Sequence, residues 1–145
     1  MKILAETVLN GGGKVHGITT QALYDRDASL DSLSDLKVVK DMDTRKKMML
    51  DMSDGCIALP GGPGTLEEIS MAFSWARLGD YSGACVLYNV NGYYDSLAAL
   101  FDEMTSKGFL TKPDRAKLLF SDSLDKIYDF MSTYIPPKIR TYDKK

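Results

Sequence analysis

Short apolar runs alternating with stretches of helical periodicity narrow what this chain can fold into more than any other feature. Residues 14–18, 36–39, 56–59, 84–88 and 117–120 read as strands, and helical spacing marks residues 3–9, 42–52, 65–78, 93–106 and 124–134. Asp41 or Asp43 is placed to cap the second of these helices, and Ser121 or Ser123 the last. Gly11, Gly12 and Gly13 stop the first, because glycine takes the left-handed conformation in which helices commonly end. Strands interleaved with helices predict βαβ units and a mostly parallel sheet covered on both faces, an α/β fold. In such sheets ligands bind beyond the carboxyl ends of the strands, which directs attention to the residues after Val39, Leu59 and Tyr88.

A chain of 145 residues supports one sizeable core rather than two; residues 1–135 read as one domain and 136–145 as a polar tail. The net charge of −2 gives no support to a nucleic-acid or membrane-surface partner, either of which selects a basic stripe. No apolar run approaches the roughly 20 residues that cross a bilayer. Glu6 interrupts the apolar start, so no signal peptide is read there and a cytoplasmic setting is expected. Cys56 and Cys85, the only cysteines, lie in apolar runs where cysteine packs as a small hydrophobe. With a single histidine they offer no metal-ligand spacing, so no bound transition metal is expected.

The segment from Leu59 to Glu68, Leu-Pro-Gly-Gly-Pro-Gly-Thr-Leu-Glu-Glu, carries the most chemistry. A strand ends at Leu59, the glycines at 61, 62 and 64 bring the backbone close to a ligand, and a helix is expected from about Thr65. Unbonded N–H groups at a helix start carry partial positive charge, so this turn suits a phosphate. Neither the Gly-Lys-Ser/Thr of a P-loop nor the G-x-G-x-x-G spacing of a dinucleotide fold is present. Glu67 and Glu68 fall, on this reading, in the first helical turn, where the helix dipole alone would explain acidic residues. A carboxylate beside an anion cradle also has a chemical use. It can stabilise an oxocarbenium-like sugar or orient a water at the anomeric carbon.

Pro60 to Glu68 resembles the P-G-G-x-G-T-x-E-E signature of the LONELY GUY (LOG) family. Asp41-Met42-Asp43-Thr44-Arg45-Lys46 is similar to that family's D-M-H-x-R-K segment, and Trp75-Ala76-Arg77-Leu78-Gly79 to its W-A-Q-L-G. Asn89-Val90-Asn91-Gly92-Tyr93-Tyr94 looks like N-V-D-G-Y-Y, and Lys107-Gly108-Phe109-Leu110 also fits. The resemblance implies a Rossmann-like three-layer αβα fold and an enzyme that releases the base from nucleoside 5′-monophosphates, cytokinin ribotides included. Many family members carry an older lysine decarboxylase label. That chemistry needs a Schiff-base lysine with recognisable partners for pyridoxal phosphate, and nothing marks Lys46 or Lys47 that way.

Carried over residue by residue, the resemblance implies that Arg45 and Glu68 are the catalytic pair. Gly61, Gly62, Pro63, Gly64 and Thr65 would form the phosphate loop, with Lys46 adding charge and Glu67 a neighbour in the same site. Ser74 falls where the family often has a threonine near the substrate, and Asp27 where it has a glutamate that touches the nucleotide. From the residues alone, Arg45, Lys46 and Lys47 read equally as a solvated helix face, and Asp27 as an ordinary loop residue. The family also implies a homodimer or higher homo-oligomer. The Met-rich helix over 42–52 offers an apolar contact surface, although methionine at helical spacing reads equally as core.

Three departures from the family pattern stand out. Asp43 replaces a histidine, and Ile18-Thr19-Thr20 stands where a proline usually follows the strand. Family members also begin with a strand, a Gly-Ser-Ser turn, a helix and a second strand ending in G-G-G-x-x-G-x-M-G. Met1 lines up at or near the methionine of that loop, so the N-terminal strands of the fold are expected to be missing. Gly11, Gly12 and Gly13 follow a helix and precede a strand, so they do not replace the absent loop. The expected function is hydrolysis of the N-ribosidic bond of a purine or cytokinin nucleoside 5′-monophosphate to free base and ribose 5-phosphate. The alternative is a nucleotide-binding pseudoenzyme or fragment without turnover.

Overall fold

Helices and strands alternate from Lys2 to Ser132 in the computed structural model, which describes residues 2–26 and 33–139. They fall into two compact units, Met1–Met52 and Ser53–Lys145.

In the first unit, α1 (Lys2–Asn10) is closed by Gly12 at φ 80°, in the left-handed region. The Gly12 and Gly13 N–H groups donate to the Leu9 and Val8 carbonyls, the C-terminal seal expected of glycine there. Strand β1 (His16–Thr20) begins two residues later than its apolar pattern suggests. Part of the polar connection behind it is a short helix, α2 (Gln21–Tyr24), four residues being too few to show a periodicity. Strand β2 (Asp35–Val39) pairs with β1 in parallel, from His16 opposite Asp35 to Thr20 opposite Val39. Helix α3 (Met42–Asp51) is capped by Asp41, whose carboxylate accepts the Thr44 N–H at 2.7 Å. That hydrogen bond favours the charged form and holds the Asp41 carboxyl below its usual pKa.

In the second unit, β3 (Gly55–Ala58), β4 (Ala84–Tyr88) and β5 (Leu118–Ser121) form a parallel sheet in that order. Ala84, Cys85, Val86 and Leu87 of the central strand are at most 1% exposed, which is why β4 is an unbroken apolar run. Helix α4 (Pro63–Leu78) buries Ile69, Ala72, Phe73 and Ala76, one stripe at i, i+3, i+4 and i+7. Phe73 meets Phe101 of α5 (Asp95–Ser106) edge-on at 5.8 Å, and Phe101 packs on Phe120 of β5. A four-residue helix, α6 (Lys112–Arg115), follows Thr111, which caps it and gave no periodic signal in the sequence. Helix α7 (Leu124–Ser132) starts at Ser123, one of the two expected caps, whose hydroxyl accepts the Lys126 N–H.

Cys56 and Cys85 are opposite each other on β3 and β4, their thiols hydrogen-bonded with sulfurs 3.7 Å apart. The α/β, Rossmann-like class with parallel strands and helices on both sides is the one the sequence implies. No helix among the described residues is long and apolar enough to cross a membrane.

Candidate active site

The glycine-rich loop leaves the carboxyl end of β3 and enters α4 earlier than the sequence suggested. Gly62 is the N-cap and Pro63 stands at the first helical position, where its fixed φ suits the helix and its missing N–H is no loss. Glu67 and Glu68 are therefore not in the first turn of α4, as expected above, but in the second; the first turn holds no acidic residue. Pro63, Gly64 and Thr65 occupy that first turn. Among the described residues none accepts a hydrogen bond from the Gly62 or Gly64 N–H, and a Cβ built at either meets nothing within 4 Å. The space that a side chain would take at either glycine is open. Gly61 differs, because a Cβ there would run into the Thr65 side chain, so packing of the loop on its own helix requires this glycine.

Two tyrosines hold the loop from the adjoining corner of the sheet. The Tyr94 hydroxyl donates to the Leu59 carbonyl at 2.6 Å and the Tyr93 hydroxyl to the Gly61 carbonyl at 2.7 Å. Their rings meet edge-on, centroids 4.9 Å apart. Tyr94 is buried, and desolvation pushes its hydroxyl above the usual tyrosine pKa. Both follow a tight turn after β4 in which Asn91 and Gly92 have φ of 53° and 72°. Asn89 locks that turn, its side chain accepting the Tyr94 N–H at 2.6 Å and donating to Asp95 at 2.8 Å. Neither tyrosine carries a site role on the reading of the sequence alone. The only available signal was the Gly-Tyr-Tyr segment itself, since the contacts span 35 and 32 residues.

Along α4, Glu68 is half-buried while Glu67 and Ser74 are exposed. Seven residues apart, Glu67 and Ser74 share the outer side of the helix, with Glu68 about 100° round from Glu67. On α3 of the first unit, Arg45 is half-buried and its Nε donates to the Ile18 carbonyl of β1 at 2.9 Å. Lys46 is buried, 8% exposed, while Lys47 is exposed and pairs with Asp51. The solvated-face reading holds for Lys47 but not for Arg45 or Lys46. Long basic side chains are rarely buried without a use for the charge.

The family described as "possible lysine decarboxylase" matches residues 1–131. The chain belongs to this LOG family. A cytokinin riboside 5′-monophosphate phosphoribohydrolase of Arabidopsis thaliana is 34% identical over 145 residues, all of this chain and 68% of its own. A probable cytokinin riboside 5′-monophosphate phosphoribohydrolase of Oryza sativa subsp. japonica is 39% identical over 134 residues, 92% of this chain and 60% of that one. Another of the same description and organism is 38% identical over 127 residues, 88% of this chain and 55% of its own. The chain thus spans between 55% and 68% of the length of these LOG relatives.

Two departures from the LOG pattern acquire structural content. Asp43, in place of the family's histidine, lays its carboxylate 3.2 Å from Lys46 Nζ, three residues on along α3. Ile18, in the segment that lacks the LOG proline, supplies the carbonyl that receives Arg45. Asp27 lies outside the described residues.

Proposed function

We propose that this chain hydrolyses the N-ribosidic bond of purine or cytokinin nucleoside 5′-monophosphates, giving free base and ribose 5-phosphate. One observation carries the reading: at the β3–α4 corner no described residue accepts from the Gly62 or Gly64 N–H, no side chain crowds either glycine, and Glu68 follows on the same helix. Relatives of the chain are named for this reaction. From Gly64 to Glu68 is about one helical turn, about 6 Å of rise. That is the scale of ribose 5-phosphate, whose phosphate and anomeric carbon lie at opposite ends of one small molecule. Moving the carboxylates out of the first turn also keeps them from competing with the phosphate for the same amides.

In this reading residues 1–135 work as one nucleotide-binding domain. Gly61, Gly62, Pro63, Gly64 and Thr65 cradle the phosphate, and Lys46 adds positive charge. Glu68 stabilises the charge that develops at the anomeric carbon as the base departs, and it positions the water that adds there. The water's hydroxyl goes to the sugar and its proton balances the leaving base. Arg45 orients the ribose phosphate, while Glu67, Ser74 and Asp27 complete the contacts with substrate. The protein works without a metal or redox cofactor, in the cytoplasm, as a homodimer or higher homo-oligomer. Met42, Met49 and Met52 at α3 are at least 37% exposed and offer an apolar surface to such an assembly.

Release of adenine from AMP, measured for the chain beside Glu68→Gln and Arg45→Ala, tests the proposal. Turnover that falls at least about 100-fold in either variant supports it. Folded chain that binds AMP but releases no adenine would overturn it in favour of a nucleotide-binding module.

A further inference from the structure

We infer that Tyr93 is a positioning residue that aims the Gly62 amide at the substrate's phosphate through its bond to the Gly61 carbonyl. The inference rests on the phosphate-cradle reading of residues 61–65. The Gly61 carbonyl and the Gly62 N–H belong to one planar peptide, and in a trans peptide they point in opposite directions. No cis peptide occurs among the described residues. Holding the carbonyl 2.7 Å from the Tyr93 hydroxyl therefore turns the Gly62 N–H away from that ring, and no described residue accepts from that N–H. A peptide unit between two glycines has the least intrinsic resistance to rotation, so an external hold on one end decides where the other end points.

Tyr94 supplies an internal comparison. Its hydroxyl is bound as closely, at 2.6 Å, to the Leu59 carbonyl. That carbonyl belongs to the peptide preceding Pro60, which carries no N–H. Tyr94 thus tethers the root of the loop without aiming a donor. Two neighbouring tyrosines with the same bond type thus have different consequences, and only loss of the Tyr93 hydroxyl is expected to reach phosphate binding.

The test titrates inorganic phosphate into isotope-labelled chain while following the Gly62 amide resonance, with KM and kcat for AMP measured in parallel. Tyr93→Phe is expected to weaken phosphate binding and raise KM by about fivefold, the weight of one partly exposed hydrogen bond, with a smaller change in kcat. Tyr94→Phe is expected to lower the melting temperature while phosphate affinity changes by less than about twofold. Tyr93 is 55% exposed, so its phenylalanine variant keeps the fold and the comparison stands. Equal weakening in both variants, or wild-type phosphate affinity in Tyr93→Phe, would overturn the inference and leave the cradle reading intact. A Gly62 resonance that ignores phosphate in the unmutated chain would overturn the cradle reading, and the inference with it.

Discussion

Thr65 lies over Gly61 so closely that a methyl group at 61 would stand 2.9 Å from the Thr65 Cβ and overlap its Oγ1. The carbonyls on either side of Pro60, of Leu59 and Gly61, are both held by tyrosine hydroxyls. Relief by shifting the loop is therefore restricted. Gly61→Ala is expected to cost about 1–3 kcal/mol, the usual range for an overpacked site. Adding Thr65→Ala removes the Oγ1 and Cγ2 atoms that crowd the new methyl, so the double variant loses less than the sum of the singles. Urea unfolding of all four chains reads the coupling. Strictly additive losses would mean the loop moves aside.

Arg77 Nε and Asp114 Oδ2 are 3.0 Å apart with side chains only 16% and 14% exposed. Removing one partner strands a charge in a poorly solvated place, so Arg77→Met or Asp114→Asn should each lower stability by about 3 kcal/mol. Replacing both by apolar residues, Arg77→Met with Asp114→Leu, is expected to cost less than either single change. Thermal melts rank the three variants, and a double variant worse than both singles contradicts the account.

The Asp41 cap on α3 should be visible as a pH effect. Its carboxyl is held below the ordinary value of 3.8, chiefly by the Thr44 N–H. A depressed folded-state pKa contributes stability that is present above that value and lost as pH falls through the lower folded one. Asp41→Asn keeps a capping oxygen without the titration. The stability difference between wild type and Asp41→Asn is thus expected to be constant from neutral pH down to about 4 and to shift against the wild type below it. Denaturant midpoints at pH 7 and pH 3 measure this, and a difference that does not move between them refutes it.

Cys56 and Cys85 should differ in reactivity although their sulfurs touch. Their shared hydrogen bond lowers the Cys56 thiol, while that bond and burial raise Cys85. Cys85 is also 0% exposed. Under native conditions iodoacetamide is expected to label Cys56 first, with Cys85 modified only as the sheet unfolds. Mass mapping of partly labelled chain decides it, and early label on Cys85 would reverse the assignment.

Features written in local chemistry were the legible ones. The caps of α3 and α7 could be narrowed to Asp41 or Asp43 and to Ser121 or Ser123 because a cap and the amide it serves lie within one turn. The run at 84–88 was legible as a strand because a strand covered on both faces is apolar throughout. The start of α4 was misplaced because Pro63 between two glycines reads as loop, although proline at the first helical position was the signal available. That error carried Glu67 and Glu68 into the wrong turn. The burial of Lys46 beside the exposed Lys47 follows from which side of α3 packs inward, and no short-range pattern in so basic a stretch reveals it. The role of Tyr93 was beyond reach for a similar reason. Its partner is 32 residues away, and only folding brings the two corners of the sheet together.

The turn from Asn89 to Asp95 has a consequence for the glycine loop. At Gly92 any larger residue would meet both a left-handed backbone and the Asp95 carboxylate, so the bearing of the two tyrosines is built into a segment with little room for substitution. The ends of β3 and β4 behave, mechanically, as a single part. A loop whose composition promises slackness takes its stiffness from a neighbour's hinge, and loosening one corner slackens both.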